Sequence, residues 1–170
     1  ERVTGKLDWF PKVAAELGSK RIGFEGQHMT VGSHTSFQNA IRDAGGPDGL
    51  ALVETSETLD AMRASKYAEE LQLIARAVEI TDEAFEEVAS TVQAGVTERE
   101  VAWRLEKGLR ERGAEAVAFD IIVGAGPNGA LPHHLAGDTV IGVGEPVVID
   151  MGARYQGYCA DLTRTIVIGE

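Results

Sequence analysis

The order of elements along the chain predicts an α+β protein: a short mixed segment, then two helices, then a run of strands. Three observations carry this. Between residues 65 and 112 apolar residues recur every three or four positions, the period of an amphipathic helix. After Gly113 that pattern gives way to short Val- and Ile-rich runs separated by glycine. Before residue 58, two strand-like runs flank a helix-like one.

Residues 8–18, DWFPKVAAELG, read as a helix closed by Gly18, since glycine takes the left-handed C-cap conformation. RIGFEG and GLALVET read as strands, and HMTVGSHTSFQNAIRDAGG between them as a short helix with loops. These elements are too few to close a sheet, so the chain is expected to begin partway through a domain. A boundary between Ser56 and Ser65 divides it into residues 1–58 and 59–170.

A long helix over residues 65–93 carries the stripe Leu71, Ile74, Val78, Thr81, Phe85 and Val88. Gly95 ends it. Thr97 and Glu100 form a capping-box pattern that opens a second helix over 98–112, with the stripe Val101, Leu105 and Leu109. Core packing accounts for both stripes. VAFDIIVG, EPVVIDMG and YCADLTRTIVIG then read as strands.

Composition narrows the function. With 44% hydrophobic and 25% charged residues among 170, the chain is an ordinary globular sequence. Sixteen basic against 27 acidic residues leave a net charge of −11, which argues against nucleic acid or anionic lipid as a partner. There is no uncharged apolar run long enough to span a membrane and no signal-peptide core. Cys159 is the only cysteine, which points to a reducing compartment and a cytoplasmic location. Its expected role is a small buried filler.

Two aspartates, Asp150 and Asp161, sit within strand-like runs on either side of RYQG, residues 154–157. Read as a four-residue turn with glycine last, RYQG centres a hairpin on Tyr155 and Gln156 and sets Asp150 directly opposite Asp161. Two ionised carboxylates about 5 Å apart repel by roughly 3 kcal/mol at an effective dielectric near 20. A shared proton, a neighbouring arginine or a bound cation would relieve this. A proton-sharing dyad lacks the Asp-Thr-Gly loops that such enzymes use. Arg164 lies an odd number of residues from Asp161 and so faces the other way. A divalent cation held by oxygen ligands fits best, provided the register holds, since a slip of one residue separates the aspartates.

Upstream, VGAGPNGALPHHL forms a loop that carries His133 and His134. Gly124, Gly126 and Gly129 match a dinucleotide-binding pattern, but Pro127 and Pro132 keep the segment out of the helix that such a site requires. A loop histidine is more often a surface residue than a catalytic one; here it leads into the strands that bear the two carboxylates.

LPHH, VVIDMG and GYCADLTRT together resemble the metal-dependent Xaa-Pro peptidases, prolidase and aminopeptidase P, of the pita-bread fold. RIGFEG with the following MT, and the long MRASKYAEELQLIARAVEITDEAFEEV segment, resemble the same family. The resemblance implies that residues 1–58 close a small α/β N-terminal domain and that residues 59–170 form the first half of a pita-bread catalytic domain. It implies that Asp150 binds one metal, that Asp161 bridges two, and that His133 contacts substrate and supports the charged transition state. The metals implied are two Mn²⁺ or Co²⁺ ions, with Zn²⁺ also accepted, and the substrate is an Xaa-Pro peptide.

One departure from the family pattern is Ala136, where some relatives have proline. A second is that the later histidine and two glutamates of the family's site lie beyond Glu170, so the isolated chain is expected to be inactive and to hold no metal firmly. An uncovered sheet face would expose apolar surface, and self-association into a homo-oligomer is expected. Two rivals stand beside this: a methionine aminopeptidase-like hydrolase, and a non-catalytic scaffold that keeps the hairpin.

Overall fold

A computed structural model describes residues 7, 9–44, 49–56 and 58–169. The chain divides into two compact units, Glu1–Ser65 and Lys66–Glu170.

In the first unit, helix α1 (Trp9–Glu16) precedes strand β1 (Arg21–Glu25), helix α2 (Val31–Asp43), strand β2 (Ala51–Thr55) and a short helix α3 (Asp60–Ala64). β1 and β2 pair in parallel, from Arg21 opposite Ala51 to Glu25 opposite Thr55. Parallel neighbours need a crossover connection, and α2 lies within it. Thr30 caps α2, its hydroxyl accepting from the Ser33 amide at 3.1 Å. Phe10 of α1 meets Phe37 of α2 edge to face, with ring centroids 4.8 Å apart.

The second unit opens with helices α4 (Ala68–Thr91) and α5 (Glu98–Glu111). Strands β3 (Ala116–Val117) and β4 (Ile122–Ala125) follow, and β4 leads into a five-residue 3-10 helix, Gly126–Ala130. The remaining strands are β5 (Pro146–Met151), β6 (Ala153–Tyr155), β7 (Tyr158–Cys159) and β8 (Leu162–Val167). They form two antiparallel sheets, in the orders β4-β5-β8 and β3-β6-β7.

The capping box at Thr97 forms as its sequence predicts: the Glu100 amide donates to the Thr97 hydroxyl, and the Thr97 amide donates to the Glu100 carboxylate. Val101, Leu105 and Leu109 are fully buried. The α4 stripe holds in part: Thr81 and Val88 are buried and Phe85 packs against the core as expected, but Leu71 and Val78 are exposed and the seam also takes in Ala77, Ile80 and Ala84. The reason is close helix packing. A Cβ on Gly108 of α5 would lie only 3.4 Å from Ala84 Cβ, so small residues occupy the seam where long ones would force the helices apart. Thr81 is not apolar filling either: its hydroxyl donates to the Ala77 carbonyl and accepts from the Ala153 amide, which ties α4 to β6.

The hairpin differs in register from the expected one. Its turn is the pair Gln156–Gly157, both at positive φ (47° and 83°), between the facing residues Tyr155 and Tyr158. Positive φ at both central positions is the requirement of a type I′ turn, whose twist matches that of the strands. The centre therefore lies one residue further along, and every pairing shifts by two. Asp150 faces Thr163 rather than Asp161. A shift of two preserves the face, because side chains alternate with a period of two. At Gly152 the strands come so close that a Cβ would collide with the Ala160 carbonyl oxygen.

Alternation along β5 decides what lies on each side of its sheet. Val147, Ile149 and Met151 are fully buried and join Ile80, Val101, Leu105 and Val123 in the core. Val148 and Asp150 point to the other side. Cys159, on the edge strand β7, is exposed rather than buried. Among the described residues, no helix is long and apolar enough to cross a membrane.

Candidate active site

On the face of β5 away from the core, a cavity of about 420 Å³ is lined by His133, Asp150 and Asp161. The three residues predicted from sequence thus border one space. Asp120, Ile122 and His134 line it too. Each arrives by a different route. β5 is the central strand of its sheet and carries Asp150 between Ile122 of β4 and Thr163 of β8. Asp161 enters just before β8, where the ladder breaks beside Gly152 and Ala160. His133 comes from the loop after the 3-10 helix, in a turn closed by donation from the His134 amide to the Leu131 carbonyl at 3.2 Å.

Asp150 is only partly buried, and its Oδ1 accepts from the Thr163 hydroxyl at 2.7 Å. That bond fixes the plane of the carboxylate and leaves acceptor capacity for a further ligand. The register sets Thr163, not Asp161, opposite Asp150, so the two carboxylates are not a directly opposed pair.

Sequence reasoning missed Glu98. It is fully buried at the start of α5. Its Oε1 accepts from the Ala125 amide and from Asn128 Nδ2, both at 2.9 Å. Its Oε2 meets His134 Nε2 at 2.8 Å and accepts from the Gly137 amide at 3.1 Å. Burial by itself would raise its pKa, but donation from the Ala125 amide, Asn128, His134 and the Gly137 amide outweighs this and holds the carboxyl below its ordinary value. The capping box marks Glu100, which sits in the same first turn and remains exposed, but no local pattern marks Glu98 for burial. Asp120 also escaped notice, since it falls within an apolar strand-like run.

Asp150 and Asp161 offer hard oxygen ligands to the cavity, which suit divalent cations. Among the described residues, no group of three or more His, Cys, Asp or Glu side chains is arranged to hold a metal. The two aspartates fit as part of a coordination shell, not as the whole of one.

Residues 72–170 match the model of metallopeptidase family M24. The chain belongs to this family. It is 42% identical over 116 residues to the Xaa-Pro dipeptidase of Pyrococcus horikoshii, covering 68% of this chain and 33% of that protein. Among solved structures, it is similar to the Xaa-Pro dipeptidase from Bacillus anthracis, with a TM-score of 0.88 and 38% identity, over 96% of this chain and 44% of that one. The X-Pro aminopeptidase from Thermotoga maritima gives a TM-score of 0.83 at 36% identity, over 100% of this chain and 47% of that one. The chain therefore spans less than half the length of these relatives. Its second unit is part of a pita-bread domain, and membership of M24 implies use of divalent metal.

Proposed function

We propose that the full-length protein is a dinuclear-metal hydrolase that cleaves the peptide bond before proline, as an Xaa-Pro dipeptidase or Xaa-Pro aminopeptidase. The observation that supports this is the convergence of His133, Asp150 and Asp161 on one cavity in a chain of family M24. Asp150 would hold one ion and Asp161 would bridge two, with Mn²⁺ or Co²⁺ expected and Zn²⁺ accepted. When bound, such ions supply Lewis acidity and a lowered water pKa.

The chain's own side chains do the rest. The Thr163 hydroxyl orients Asp150. His133 borders the cavity, where an imidazole N–H would donate to the carbonyl oxygen of the scissile bond as charge builds on it. Phe119, Ile122, Pro132 and Leu135 give the cavity an apolar wall, suited to a prolyl ring and to the exclusion of water.

On this reading residues 1–58 are the closing part of an N-terminal domain, and residues 59–170 begin the catalytic domain. The net charge of −11 favours a peptide over a nucleic acid as substrate, and a single cysteine favours the cytoplasm. Exposed Trp103, Leu135, Val143 and Val167 favour self-association into a homo-oligomer. The isolated 170-residue chain would be inactive, because two carboxylates leave a divalent ion mostly hydrated and weakly held.

The test is turnover of an Xaa-Pro dipeptide and of a longer Xaa-Pro peptide by the full-length protein, with Mn²⁺, Co²⁺ or Zn²⁺ added. Asp150→Asn and Asp161→Asn are expected to abolish it without unfolding the protein. Metal-independent cleavage, or full activity in either variant, refutes the proposal, and robust turnover by the isolated chain refutes its predicted inactivity.

A further inference from the structure

The loop that carries His133 begins at Ala125, the last residue of β4, and ends near Gly137. Both limits are tied to the same turn of α5. At the downstream end, the Arg99 amide donates to the Gly137 carbonyl at 2.9 Å, and the Glu98 amide to the Thr139 carbonyl at 3.0 Å. At the upstream end, among the described residues, no such backbone hydrogen bond to α5 is made; the tie is the Glu98 side chain, which receives the Ala125 amide. The same carboxylate takes Asn128 from the 3-10 helix and the His134 ring from the loop itself. Contacts to Ala125, Asn128, His134 and Gly137 thus span the loop from end to end, all on one fully buried group.

We infer that Glu98 is a positioning residue for His133: by gathering these contacts it sets where that imidazole stands in the cavity, without touching the cavity itself. The inference rests on the cavity being the peptidase site. Its physical basis is the carboxylate's acceptor-only character. Two amides and an Asn NH₂ converge on it, and an ionised carboxylate requires the facing His134 Nε2 to carry a proton, which settles that ring's donor role. His133 is the adjacent residue, one peptide unit from a ring fixed in this way. A glutamine at position 98 has the same shape but would present an N–H to at least one of these donors. The loop would have to shift to avoid that clash, and a displacement of about 1 Å at a reacting group can cost on the order of 10²-fold in rate.

The test compares the full-length protein with its Glu98→Gln variant, by kinetics with an Xaa-Pro dipeptide, by Mn²⁺ titration and by imidazole ¹H–¹⁵N NMR. A loss of about 10–100-fold in kcat is expected, with KM and Mn²⁺ affinity within roughly threefold of the parent. The His133 ring resonances are expected to move although Glu98 does not contact that ring. A Leu109→Ala variant, which loosens the same helix by a core cavity, should lower the melting temperature and leave those resonances in place. A folded Glu98→Gln protein with unaltered His133 resonances overturns the inference. So does a fall in Mn²⁺ affinity parallel to that in kcat, which would mean that the whole site had moved. If Glu98→Gln does not fold, Asn128→Ala removes one of the donors and should shift the same resonances by less; no shift there overturns the inference equally. If the parent protein cleaves no Xaa-Pro peptide, the functional proposal fails, while the NMR comparison still decides the role of Glu98.

Discussion

Thr163 stands opposite Asp150 across β5 and β8, and its hydroxyl donates to Asp150 Oδ1 at 2.7 Å. A strand residue facing a proposed metal ligand is thus a hydrogen-bond donor, not a second negative charge. Outer partners of this kind typically contribute 10–100-fold to metal affinity or activity. Thr163→Val keeps the shape and deletes the donor. We expect Mn²⁺ binding to the full-length protein, measured by calorimetry, to weaken by about tenfold. Affinity unchanged within a factor of about two would remove Thr163 from the site.

Glu98 is expected to make the second unit sensitive to acid. Burial would raise its pKa, yet the donors from Ala125, Asn128, His134 and Gly137 hold it below the ordinary 4.5. A carboxylate with a lowered folded pKa stabilises the fold fully above its unfolded value and loses that contribution as pH falls through the folded value. Thermal melts should therefore show stability declining below pH 4.5, with a flatter decline in Glu98→Gln. Parallel curves for the two proteins in that range would show that Glu98 does not titrate on unfolding.

Gly152 permits a close approach of the two hairpin strands. Any Cβ there meets the Ala160 backbone, which cannot swing aside as a flexible side chain would. Gly152→Ala should cost about 2–4 kcal/mol, measured by denaturant unfolding, and should weaken Mn²⁺ binding because Asp161 follows Ala160 directly. A variant as stable as the parent would mean that the strands separate there at little cost.

The turn itself leaves room for improvement. Gln156 is the only non-glycine residue with positive φ among the described residues, and asparagine tolerates that region better. Gln156→Asn should raise stability by about 0.5 kcal/mol, with activity unchanged. Destabilisation in a chemical melt would indicate that the Gln156 side chain contributes something that its backbone conformation does not reveal.

The helices and strands were largely legible in the sequence, because their signals are local. The Thr97 capping box and the stripe of Val101, Leu105 and Leu109 depend on residues within a few positions of one another. Along α4 the apolar period finds Thr81, Phe85 and Val88 but passes over the alanines, which carry little apolar signal, although Ala84 lies against Gly108 where α5 packs closely. The terminal glycine in RYQG suits a type I turn and so points to a hairpin centre one residue early, whereas Gln156 shares the positive φ of Gly157.

What the sequence alone determined is which faces the chemistry occupies: strand side chains alternate with a period of two, so Asp150 and Asp161 stay on one side under any even shift of register. Which residue faces Asp150, and that Glu98 lies in the interior beneath the His133 loop, were decided only by the tertiary structure. The first depends on two backbone dihedrals at a turn, and the second on a loop about thirty residues away folding back over the start of α5 to bring donors that make burial of a carboxylate tolerable.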